Sequence, residues 1–293
     1  MKISGFTFIR NGNYYGYPFI ESIKSLLPLC DEVVVAIGNS DDKTREDIVA
    51  LNNPKIVLID TVWDDTLRSG GKILAQQTDV ALAHTQYDWC LYLQGDEVLH
   101  EGDYDIIKNE MLAANTSPDV EALLFRWRHF FGSYEYIGVG RQWYRREIRA
   151  FKRNTNVVSW GDAQGFKVKT DDGGFRKLRA KQTEARIFHY GWVRHPHTQT
   201  KKFTDFNRLW HDDEHLPEVP KADEFDYRCY ESTLFKETHP LVMAEKIQRD
   251  KHWTSAYDPT RRNKRPFMVW LTDSIEKVTG FRIGEYKNFV EVK

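Results

Sequence analysis

The clearest chemical address in the chain is Trp89-Cys90-Leu91-Tyr92-Leu93-Gln94-Gly95-Asp96-Glu97, an apolar run that ends in a small residue and two adjacent carboxylates. Charges at the end of a buried strand are costly unless they meet a cation or hydrogen-bond donors. Hard carboxylate oxygens suit Mg²⁺ or Mn²⁺, ions that complete their coordination with substrate phosphates. The same residues also read as a helix N-cap followed by a first-turn acid, so the segment alone leaves both uses open.

Two other segments could meet phosphate or sugar. Arg141-Gln142-Trp143-Tyr144-Arg145-Arg146-Glu147-Ile148-Arg149-Ala150-Phe151-Lys152-Arg153 interleaves cations with rings, and either Arg145 or Arg146 could clamp a diphosphate. A basic strand edge that discourages aggregation has the same composition. Ser69-Gly70-Gly71-Lys72-Ile73 lacks the glycine spacing of a P-loop, yet Lys72 or Gln76 could still reach phosphate or ribose if this were more than a helix start. There is no Gly-x-Gly-x-x-Gly, no nucleophile elbow and no His-Glu-x-x-His.

The elements that must position these residues follow a regular order. Near-continuous apolar runs at 4–10, 32–37, 55–59 and 89–93 predict strands buried on both faces. Helical spacing at Phe19, Ile20, Ile23, Leu26 and Leu27, a helix start at 42–46, and Ile73, Leu74, Val80 and Ala81 fill the gaps. The alternation predicts a doubly wound sheet with its ligand crevice beyond the carboxyl ends of the strands. A further strand is expected at 121–127, and helices at 200–210 and 240–250.

Composition narrows the class. With 41% hydrophobic and 14% aromatic residues in 293, the chain can build a large core, and no apolar run reaches the roughly 20 residues of a membrane span. Cys30, Cys90 and Cys229 have no metal-type spacing and read as packing residues of a reducing compartment. Net charge is −1, which argues against nucleic-acid binding, but residues 1–125 hold 9 Lys and Arg against 20 Asp and Glu, and the rest 33 against 23. That asymmetry can serve a cation on one side and phosphate on the other, or be neutralised between strands. The basic run Arg261-Arg262-Asn263-Lys264-Arg265 leads into Phe267, Met268, Trp270 and Leu271, a terminal helix expected to dock on the core or to touch a membrane surface.

Four segments together resemble the GT-A-fold glycosyltransferases of family 2, over about the first 195 residues. Phe8-Ile9-Arg10-Asn11 ends the first strand where such enzymes open their nucleotide pocket; Ser40-Asp41-Asp42-Lys43-Thr44 is similar to their Ser-x-Asp-x-Thr turn; Leu91 to Glu97 looks like their strand and Asp-x-Asp-Glu motif; and Phe188-His189-Tyr190-Gly191-Trp192 resembles the strand whose histidine can complete the metal site. The resemblance implies a GT-A-like α/β fold, a doubly wound mixed sheet flanked by helices. It divides the chain into a donor and metal half (1–100), an acceptor half (101–195) and a mainly helical region (196–293).

It also implies the roles. Asp96 would ligate Mn²⁺ or Mg²⁺, with His189 as a further ligand and His195 and His197 as competitors. Arg10, Asn11, Ser40, Asp42, Gln94 and Asp96 would surround a nucleotide-diphospho-sugar, joined by Lys72 and Arg145 from the segments read above, and Asp162 would act as base, with Glu135 and Glu147 as rivals. Gln94 stands where the family has the first Asp of its motif, and Gly38-Asn39 replaces an acid that many relatives use on uracil, so the donor base is open. The expected reaction is an inverting, metal-dependent transfer to a saccharide or lipid-linked acceptor, in cytoplasmic polysaccharide synthesis. A sugar-phosphate nucleotidyltransferase would need a Gly-rich signature that Arg10-Asn11-Gly12-Asn13 does not supply, and a carbohydrate-binding protein on the same fold is the non-catalytic alternative.

Overall fold

Val33, Val35 and Ile37 fall in one apolar cluster and Val34 and Ala36 in another, all fully buried, because the strand that carries them is covered on both faces. In the computed structural model, which describes residues 1–67, 70–210, 225–254 and 256–292, this strand belongs to a large mixed sheet flanked by helices. Ser69 of the glycine segment lies outside the described residues.

The first half alternates as the sequence predicts: β1 (Ile3–Ile9), α1 (Phe19–Leu26), β2 (Glu32–Gly38), α2 (Thr44–Val49), β3 (Ile56–Thr61), α3 (Lys72–Ala83) and β4 (Trp89–Tyr92). The strands pair in the order β3-β2-β1-β4, all parallel. Then follow β5 (Glu97–Leu99), α4 (Tyr104–Asn115), β6 (Ala122–Phe131), β7 (Tyr136–Gly138), β8 (Arg146–Lys152), β9 (Val157–Trp160), β10 (Gly165–Lys169) and the long β11 (Phe175–Trp192). β8 runs antiparallel to β4 and to β6, while β11 lies parallel to β6 and antiparallel to β5. Helices α1, α2 and α4 supply one face of the core and α3 the other.

The chain after residue 195 does not stand apart from this sheet. It contains α5 (Pro196–Trp210), β12 (Ser232–Leu234), α6 (Ala244–Thr254), α7 (Phe267–Thr279) and β13 (Phe289–Val292), and β13 pairs with β11 while β12 pairs with β7.

The terminal helix docks differently from the core docking that its apolar residues suggest. Phe267, Met268, Trp270 and Val278 are exposed, whereas Asp273 is buried and Glu276 lies inward against Arg141, Arg145 and Arg282. Arg265 approaches Asp273 from the preceding segment. Charge pairs hold this helix down, and its rings face out.

Candidate active site

The expected crevice is present at the carboxyl ends of β1 and β4, as a cleft of about 450 Å³. Arg10 and Asn11 enter it from β1, Gln94, Gly95 and Asp96 from β4, and Lys202 and Phe206 from α5. Tyr15, Tyr17 and Trp63 give it aromatic walls. Gly95 packs closely at the bend: a Cβ there would lie 2.6 Å from Ile9 Cδ1, so that side chain would have to shift.

The two carboxylates after β4 have separate fates. Glu97 does not begin a helix; it turns back into β5, fully buried, and is held by Arg149 through two bonds of 2.8 Å. Gln94 N–H donates to the same carboxylate at 3.1 Å, which tightens the corner. Asp96 points into the cleft. Its Oδ2 accepts from Arg194 Nη2 at 3.1 Å and lies 3.5 Å from Lys202 Nζ, while its Oδ1 faces His189 Nε2 at 3.7 Å. Burial alone would raise this carboxyl, but Lys202, His189 and Arg194 together hold it well below the usual carboxylate range. Burial, with Arg194 adding to it, brings Lys202 down to about 7, and burial lowers His189.

A divalent ion fits one side of Asp96. Both described cation contacts fall on Oδ2, so Oδ1 is left opposite an imidazole nitrogen. Gly191 keeps the approach open: a Cβ there would collide with the His189 ring and come within 3.0 Å of Asp96 Oδ2. Among the described residues no group of three His, Cys, Asp or Glu side chains could hold an ion by itself, so substrate oxygens would have to complete the shell. When bound, such an ion acts as a Lewis acid on diphosphate oxygens.

The other expected site residues are distributed as follows. Ser40 Oγ accepts from Asn11 N–H at 3.0 Å, and Asp42 accepts from Tyr14 N–H at 2.7 Å, so both brace the 11–16 loop from behind rather than line the cleft. Lys72 starts α3 exposed and outside the cleft lining. Arg145 is not brought to the cleft: it pairs with Glu285 and Glu276 at a separate cavity. Its neighbour Arg146 pairs with Glu291.

Asp162 lies on the turn after β9, beside Ala163, whose carbonyl accepts from Gln94 Nε2 at 3.1 Å; burial raises its carboxyl. It borders the cleft without lining it. Glu135 is exposed at the β6–β7 turn, and Glu147 is buried beside Gln164. His195 and His197 stack on each other at the start of α5, and neither lines the cleft.

Sequence reasoning missed Arg194, Lys202 and His129. The helical spacing of Lys202, Asp205, Phe206 and Leu209 was a usable signal for a cleft-facing side of α5, because all four line the cleft.

No protein-family model and no curated protein matches the chain. Among solved structures it is similar to TarS of S. aureus, at 20% identity and a TM-score of 0.34, over 48% of this chain and 23% of that one. TarS 1-349 in complex with UDP-GlcNAc matches at 22% identity and 0.35, over 48% and 37%. Glucosyl-3-phosphoglycerate synthase from Mycobacterium tuberculosis, in complex with Mn²⁺, UDP and phosphoglyceric acid, matches at 18% identity and 0.31, over 43% of each chain. The matched part thus spans less than half the length of each of these structures.

Proposed function

We propose that the chain is a glycosyltransferase that takes a sugar from a nucleoside-diphosphate donor seated in the cleft between β1, β4 and α5. The observation that carries this reading is the asymmetric environment of Asp96, with side-chain cations on one oxygen and an imidazole nitrogen opposite the other. That arrangement suits a diphosphate bound through a divalent ion, Mn²⁺ or Mg²⁺, on Asp96 and His189, with Lys202 nearby to meet phosphate charge. Arg10, Asn11 and the aromatic walls lie where the rest of a nucleotide would rest.

Transfer would proceed with inversion, Asp162 taking the proton of the acceptor hydroxyl; its raised carboxyl supports that role. The acceptor is a saccharide or a lipid-linked sugar. The outward rings of α7 beside Arg262 and Lys264 favour work at a membrane surface, and no helix among the described residues is long and apolar enough to cross one.

The test is a thermal-shift panel of nucleoside diphosphates with and without Mn²⁺. One nucleotide should stabilise the wild type only with the ion, by about 2.7 kcal/mol at a hundredfold excess over its dissociation constant, and Asp96→Ala should abolish the shift. Slow release of free sugar from the matching donor should then separate a transferase from a binding protein. If no nucleotide stabilises the wild type, or if Asp96→Ala behaves like it, the proposal fails.

A further inference from the structure

His129 on β6 and His189 on β11 occupy one register position of the parallel pair, and both are buried. His129 Nε2 lies 2.8 Å from the carbonyl oxygen of Tyr144. A carbonyl only accepts, so this nitrogen carries the proton, and in a neutral ring Nδ1 is then a bare lone pair. The ring is buried between Trp143, on which it stacks at 5.1 Å, and the Tyr144 ring, met edge-on at 4.6 Å, and removal from water disfavours its charged form.

The bare Nδ1 of His129 is 3.1 Å from Nδ1 of His189. Two facing lone pairs at that distance would be a buried repulsion, so His189 must supply the hydrogen there. A neutral imidazole has only one N–H, which leaves His189 Nε2 bare. That is the atom facing Asp96 Oδ1 at 3.7 Å. Neither partner can donate to the other, and both present electron pairs to the same space.

We infer that His129 is a positioning residue: anchored on the Tyr144 carbonyl, it fixes the tautomer and orientation of His189, so that His189 Nε2 and Asp96 Oδ1 converge on one divalent cation. The relay runs from a backbone carbonyl through two rings to the cleft. It rests on the metal-dependent reading above, but it assigns a role to a residue outside the cleft lining. Two protein donors make a weak seat alone, so the ion and the donor diphosphate should bind cooperatively. Loss of such a supporting partner typically costs 10–100-fold, in order of magnitude, in metal affinity.

Nitrogen NMR of the protein without added ligand reads the tautomer directly. His189 should be protonated on Nδ1 and bare on Nε2. His129→Phe keeps the ring volume and stacking but removes the acceptor; it should lose this signature and weaken Mn²⁺ uptake about 10–100-fold, followed by electron paramagnetic resonance with the nucleoside diphosphate that stabilises the wild type. His129→Gln can donate to the Tyr144 carbonyl and accept from His189 through one amide, and should restore most of the affinity. Thermal melts verify that both variants fold. A wild-type His189 protonated on Nε2, or Mn²⁺ uptake by folded His129→Phe equal to the wild type, would overturn the inference. If the tautomer is as stated but no nucleotide or Mn²⁺ binds the wild type, the transferase reading falls while the tautomer-setting role of His129 stands.

Discussion

Glu147 shows how a single buried carboxyl can tax this fold. It is nearly inaccessible, one oxygen accepts from Gln164 Nε2 at 2.9 Å, and the buried Asn288 amide lies beside the carboxyl. Burial pushes its pKa up to about 7, although Arg149 pulls the other way. A carboxyl raised in the folded state holds its proton where the unfolded chain has released it, so stability falls as pH rises from the ordinary glutamate value of 4.5 to about 7. The full penalty, up to about 3 kcal/mol, is present above that window and absent below it. Glu147→Gln should therefore stabilise the protein at pH 8, as read by urea unfolding, with the gain vanishing near pH 4. Asp96 was legible at this scale because a buried strand running into two acids is unusual. The partners of Asp96 were not: Arg194 and Lys202 are 98 and 106 positions away and meet it only through the fold.

The β4–β5 corner is the element on which the cleft depends. Glu97 and Arg149 are fully buried, 52 residues apart in sequence, and the guanidinium also lies 4.6 Å from the Trp127 ring. A buried pair is worth little against an apolar replacement, but removing one member strands the other charge. Arg149→Met should cost about 3–5 kcal/mol in chemical denaturation, and Glu97→Met with Arg149→Met together should cost less than the single change. The strands themselves were legible, and β1, β2, β3 and β4 fall within two residues of their apolar runs. The short β5 was not, because its three residues pair with β11 and carry no periodicity that could be counted. The helix α5 was expected but not as a wall of the cleft, because its spacing shows a distinct face and not what that face meets.

Across the whole molecule the uneven charge resolves into internal pairing. Basic residues of β11 meet acids from the front half: Arg176 pairs with Glu121, Arg179 with Asp119, Lys181 with Glu110 and Arg186 with Asp103. The bulk count thus reports strand neighbours as much as ligands, a distinction no composition can make. The outward face of α7 has no such internal account. If it meets a membrane, the protein should sediment with anionic vesicles more than with neutral ones, and Phe267→Glu with Trp270→Glu should abolish this while leaving nucleotide binding intact at the cleft, which no α7 residue lines. Sedimentation of the double variant equal to the wild type would sink that assignment.

The cations on Asp96 Oδ2 arrive from the far end of β11 and from α5, and in the resting protein they already have an anion. Under the proposed reaction, an incoming diphosphate would not fill an unanswered charge but would compete with a resident carboxylate for Lys202, which lines the cleft, while the buried Arg194 keeps its hold on that carboxylate. Binding then becomes an exchange of partners, and the carboxylate stands ready to reclaim the lysine when the spent diphosphate leaves. A cleft that carries its own counter-ion favours turnover over retention.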